Sequence, residues 1–77
     1  MISVTLFGDL AARSRSKRKE FHVPFGEGMT ALDIVKSEFD ETLTKSIMVV
    51  VNGHLAPIAS KLTDGDMLIL VPRITGG

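Results

Sequence analysis

The chain has 77 residues, nine Lys and Arg against nine Asp and Glu, and no Cys. That describes one small domain with a limited core, because a fold of this size buries only about 60% of the surface its unfolded chain exposes. The composition gives no disulfide and no Cys-based metal site, a net charge of +0 argues against a dedicated nucleic-acid binder, and a 44% hydrophobic content is too high for a disordered tail.

Met1-Ile2 leads straight into a strand pattern, so no signal peptide is expected, and no apolar run approaches the roughly 20 residues that cross a bilayer. With the absence of Cys, this fits a cytoplasmic protein away from membranes. Residues 2–7 alternate apolar and polar, the period of a half-buried strand with Ile2, Val4 and Leu6 on one face. Gly8-Asp9 ends it, and residues 10–17 read as a basic connecting loop with one helical turn at its start. Residues 19–23 form a second strand with Phe21 and Val23 on one face, closed by Pro24, Gly26 and Gly28.

Thr30 with Asp33 three residues later predicts a capped helix start, and Met29 and Ile34 have the spacing of a hydrophobic staple. Leu32, Val35 and Phe39 are expected on one helical face, with Ile34 beside it, and the helix should end near Phe39. A short turn follows over 40–45. Residues 47–51 are apolar throughout and β-branched, which predicts a strand covered on both faces. Asn52-Gly53 is a hairpin signal, followed by a short strand near His54-Leu55. The Asp64-Gly65-Asp66 turn leads to another apolar strand over 67–71. Pro72 has no N–H, so pairing is expected to loosen there and to release an extended, flexible tail over 73–77.

The predicted order is β-β-α-β-β-β. It suits an α+β fold in which one main helix packs on one face of a mixed four- to five-stranded sheet. The β-grasp (ubiquitin-like) arrangement over residues 1–72 meets that description, and the pattern alone also allows other small α+β folds. One helix covers one face only, yet the strands at 47–51 and 67–71 are apolar on both. Met48, Val50, Ile69 and Val71 are therefore expected to face water as a patch, which marks a partner site, a dimer contact or an aggregation liability.

The sequence closes on Gly76-Gly77. A terminal diglycine serves no cap or turn; its chemical asset is a carboxylate on an unhindered backbone stalk that enters channels closed to any side chain. Together, Val4-x-Leu6-Phe7-Gly8, the Val51-Asn52-Gly53 hairpin, Asp64-Gly65-Asp66 and Pro72-x-Ile74-x-Gly76-Gly77 resemble the ubiquitin-like sulfur carriers of the MoaD/ThiS family across essentially the whole chain. The Leu6-Phe7-Gly8 opening and the position of Pro72 look closer to the small subunit of molybdopterin synthase than to the thiamine-pathway carrier. The basic loop at 13–19 departs from the family pattern.

The resemblance implies a chain that is a co-substrate or non-catalytic subunit, with no bound cofactor. A ubiquitin-activating-type adenylyltransferase would use ATP to adenylate the Gly77 carboxylate. A persulfide sulfur would then displace AMP and leave a thiocarboxylate. The tail would dock into a sulfur-accepting synthase, in this branch the large subunit of molybdopterin synthase. Met48, Val50, Ile69 and Val71 with Pro72, Arg73, Ile74 and Thr75 are the expected partner contacts, and Gly76 and Gly77 the reacting end. Thiamine or tRNA thiolation, or conjugation to a target lysine, are the alternative outcomes.

Other signals are weaker. Arg13, Arg15, Lys17, Arg18 and Lys19 lack interleaved aromatics for base stacking, so they read as a solvated loop or as a contact for an acidic partner. His22 and His54 have no ligand-like spacing, the serines lie in no nucleophile pattern, and Gly26-Glu27-Gly28 has neither the length nor the Lys of a phosphate loop.

Overall fold

In the computed structural model, which describes residues 1–73, the chain runs β1 (Ile2–Leu6), α1 (Leu10–Arg13), β2 (Glu20–Val23), α2 (Ala31–Glu38), α3 (Glu41–Thr44), β3 (Ile47–Val51), β4 (His54–Ala56) and β5 (Met67–Pro72). The expectations placed on Ile74, Thr75, Gly76 and Gly77 lie outside the described residues. The sheet order is β2-β1-β5-β3-β4. β1 and β5 are parallel, with Val4 level with Leu68 and Leu6 with Leu70. The other pairs are antiparallel.

One face of the sheet is the core. Ile2, Val4 and Leu6 of β1, Ile47 and Val49 of β3, and Leu68 and Leu70 of β5 are buried there against Ile34, Val35 and Phe39. Burying each such side chain contributes roughly 1.5–3 kcal/mol. The helix start is the expected reciprocal cap: the Asp33 amide donates to the Thr30 hydroxyl at 3.3 Å, and the Thr30 amide donates to Asp33 Oδ2 at 2.9 Å. The expected helical face needs one correction. Ala31, Ile34 and Val35 face the sheet, and Leu32 is only half-buried. At about 100° per residue, positions 31, 34, 35 and 38 share a stripe and position 32 falls to its side.

A second correction concerns Pro72. It belongs to β5 and sits opposite Ile47, and pairing continues beyond it, because the Arg73 amide donates to the Ser46 carbonyl at 2.7 Å. The phase of the ladder explains this. Asn52 N donates to Met67 O at the other end, so the bonded pairs fall at 46↔73, 48↔71, 50↔69 and 52↔67, and Ile47↔Pro72 is a non-bonded pair. The missing N–H of Pro72 points toward β1, which has already ended.

Candidate functional site

The face of the sheet opposite α2 carries the expected patch. Met48 lies directly opposite Val71, and Val50 opposite Ile69, so the four form adjacent cross-strand pairs; all four are half-buried. Leu55 extends the patch. The Asn52-Gly53 turn, with φ of 50° and 84°, pairs Val51 with His54 and so sets Leu55 beside Val50, where it is 68% exposed. Met67 lengthens the β5 edge of the patch at 58% exposure. Sequence reasoning did not include Leu55, although a two-residue hairpin fixes its phase. A contiguous apolar surface of this kind on a small chain marks an interaction site.

β5 ends beside this patch, at Pro72. Three contacts hold the last strand residues: Arg73 N to Ser46 O, Phe7 N to Leu70 O at 2.9 Å, and the packing of Gly8 on Pro72. Gly8 has φ +62°, and a Cβ there would stand 3.1 Å from Pro72 Cγ. Glycine is required both by the backbone conformation and by the close approach. Arg73 is exposed, and it borders an open groove of about 420 Å³ lined also by Lys45, Met48, Leu55, Pro57 and Ile58.

The far end of β5 is fastened by a polar clamp that joins two turns the sequence presented separately. Asp66, almost fully buried, accepts from the Thr63 amide at 2.8 Å, the Thr63 hydroxyl at 2.9 Å and Asn52 Nδ2 at 2.9 Å. Asn52 Oδ1 in turn accepts from the Met67 amide at 2.9 Å. The Thr63 backbone bond, helped by Asn52, holds the Asp66 carboxyl below the usual aspartate range.

The basic loop is anchored, which the solvated-loop reading did not anticipate. Ser14 is buried; its hydroxyl donates to Ala11 O at 2.9 Å and accepts from Lys17 N at 3.0 Å. Ser16 Oγ donates to Glu38 Oε1 at 2.6 Å, and Arg15 N donates to Glu38 O at 2.9 Å. His22 and His54 stand on the two edge strands, far apart in the sheet order. No described helix is long and apolar enough to cross a membrane.

Comparison with known proteins places this geometry. The ThiS family model matches residues 4–77. No curated protein matches the chain. Among solved structures, SAMP1 from Haloferax volcanii superposes with a TM-score of 0.74 at 24% identity, over 99% of this chain and 98% of that one. The putative molybdopterin converting factor subunit 1 from Pyrococcus furiosus gives 0.72 at 18% identity, over 95% and 97%. The molybdopterin-converting factor subunits from Helicobacter pylori, solved as a complex of subunits 1 and 2, include a chain matching at 0.60 and 24% identity, over 99% and 97%. At these identities the likeness is one of fold, and it bears out the ubiquitin-like β-grasp expectation. The chain belongs to the ThiS family, within the MoaD/ThiS group of ubiquitin-like sulfur carriers.

Proposed function

We propose that this chain carries sulfur on its Gly77 carboxylate for molybdopterin assembly. The observation that supports the reading best is the junction at Pro72-Arg73. In this ThiS-family chain β5 is pinned as far as Arg73, four residues before Gly77, directly beside a half-exposed apolar face. A partner that takes the terminus finds a docking surface at Val71, six residues before Gly77.

A free carboxylate is a poor electrophile. Adenylation by an activating enzyme joins the Gly77 carboxylate to the AMP moiety of ATP with loss of pyrophosphate. The outer sulfur of a persulfide then displaces AMP to give an acyl disulfide, and a second thiol cleaves its S–S bond, forming a disulfide and releasing the thiocarboxylate. The product thiocarboxylate passes to a synthase that consumes the sulfur. The chain supplies position and no catalytic group of its own. Reacting atoms must approach within about 3–3.5 Å, and a misplacement of about 1 Å costs on the order of 100-fold. Absence of a side chain at Gly77 keeps the attack trajectory open. The fold likeness to molybdopterin converting factor subunit 1 supports the molybdopterin branch.

A second reading is favoured by the likeness to the small archaeal modifier protein 1 of Haloferax volcanii: the same activated Gly77 joined to a lysine amine of a target. One experiment separates the two. Incubation with ATP, a ubiquitin-activating-type enzyme and a sulfide source should exchange one oxygen for sulfur at the C-terminal residue, and Gly77→Ala should lose this loading while melting as the wild type does. Heavier covalent conjugates without any sulfur exchange would favour the modifier reading.

A further inference from the structure

We propose that the basic loop after β1 is an electrostatic docking element for an acidic protein surface rimming the site that receives the tail. The inference rests on the reading that a partner takes up the C-terminal residues, and it names the chemistry of that partner.

Topology puts the loop beside the end of β5. β1 and β5 are parallel and level at Leu6 and Leu70, so the two strands end at the same end of the sheet. β2 begins at that end too, with Glu20 opposite Thr5. Residues 7–19 therefore flank the exit at Pro72 and Arg73. Arg13 shares a groove with Ser46, whose carbonyl holds the Arg73 amide. A protein that closes around the tail must meet this loop.

The loop concentrates charge that the rest of the chain balances. Arg13, Arg15, Lys17, Arg18 and Lys19 are all exposed, in a molecule of net charge +0. The neighbouring carboxylates are Asp9, Glu20 and Glu38, with Asp40 sharing a groove with Arg13, and Asp40 and Glu41 sharing one with Arg15. Asp9 pairs with Arg13 at 3.1 Å, and Glu38 is engaged by Ser16. Among the described residues no ion pair engages Arg15, Lys17, Arg18 or Lys19.

Anchoring distinguishes this loop from one that is merely solvated. The Ser14 and Ser16 hydroxyls and the Glu38 carbonyl hold its backbone, Lys17 adopts φ 57° and its Nζ donates to Ala12 O at 2.6 Å, and the Arg18 guanidinium lies 5.0 Å from the centre of the Phe21 ring. Ordering a loop costs roughly 1–2 kcal/mol per residue in backbone freedom, a cost that solubility alone does not require. A pre-ordered array of cations meets its partner with less left to order. A protein is favoured over nucleic acid because the net charge is +0 and no aromatic is interleaved among the cations at 13–19; Phe21 is buried, and Phe7, 46% exposed at the start of the loop, is a single ring rather than a stacking platform. Such an array acts chiefly on encounter rate, and its effect is screened by salt.

The test uses the loading assay above and compares the wild type with Arg15→Glu, Lys19→Glu and the pair together. Among the described residues these side chains make no hydrogen bond or ion pair, so melting temperature should change little. Lys61→Glu is the charge-matched control for each single variant; Lys61 bridges Thr30 at the other end of α2 from Glu38. The double variant should lose on the order of tenfold in kcat/KM at low salt, through KM with kcat unchanged, and its salt dependence should flatten. Lys61→Glu should load like the wild type. The inference is overturned if the double variant loads with wild-type kcat/KM, if wild-type loading is insensitive to salt, or if Lys61→Glu loses as much as either single variant. It is also overturned if the double variant loads normally but loses salt-sensitive binding to RNA, which would assign the loop to nucleic acid. A wild-type chain that no activating enzyme loads would sink the sulfur-carrier reading and this inference with it, whereas loading without salt dependence sinks the inference alone.

Discussion

Replacing Gly8 by Ala probes how the end of β5 is held, because Gly8 packs against Pro72. Two costs are separable. Alanine at φ +62° pays about 1–2 kcal/mol for the left-handed conformation. Its Cβ would also lie 3.1 Å from Pro72 Cγ and 3.6 Å from Pro72 Cδ. Overpacking costs about 1–3 kcal/mol, and the lower end applies here because the proline ring can change pucker. The sum is about 2–3 kcal/mol, which for a domain this small lowers Tm by roughly 8–24 °C. Gly8→Asn keeps the contact but pays less for the conformation, since Asn tolerates positive φ. Pro72→Ala removes the ring atoms, so Gly8→Ala should cost less in that background than alone. Thermal unfolding of the four chains in this cycle measures the coupling. Gly8→Ala melting within about 1 °C of the wild type, or a coupling of zero, would refute the contact as the reason for glycine at this position.

Three further outcomes follow from the geometry. The Asp66 carboxyl is held below the usual range, so the unfolded chain binds that proton first; the stability this provides is fully present above the ordinary aspartate value of about 3.9 and is lost as pH falls through the depressed native value. Thermal unfolding of Asp66→Asn across acid pH should therefore converge on the wild type as pH falls, and a constant gap would contradict the clamp. Leu70→Ala, at a fully buried position, should cost about 2–5 kcal/mol by denaturant unfolding. Ile69→Asp, one residue away on the opposite face, should leave the fold far closer to wild type while weakening binding to the sulfur-accepting synthase in calorimetry; an undiminished affinity would remove the outer face from the docking surface.

The core was legible where one face alone is buried. Ile2, Val4 and Leu6 alternate without ambiguity, and the Thr30–Asp33 cap is a local pattern with a local cause. The outer patch was legible by subtraction, since a single helix cannot cover two apolar faces. Leu32 was misplaced because a short helix with several apolar residues offers two plausible stripes, and only the sheet beneath decides between them. Pro72 was misread because a missing N–H matters only on the side where a bond is due, and that side depends on ladder phase. The Asp66–Asn52 clamp and the Ser16–Glu38 anchor join residues 14 and 22 apart. Each side chain was visible as a turn or loop residue, but no local pattern links such distant positions, so both contacts emerge only when the fold closes.

The most direct measurement is the fragment mass of the C-terminal peptide, recovered from chain treated with its activating enzyme, ATP and sulfide. Sulfur in place of one carboxylate oxygen, localised to Gly77 and absent from Gly77→Ala, is the result expected of a sulfur carrier. An unaltered Gly77 carboxylate after treatment with every activating enzyme of the host would contradict it.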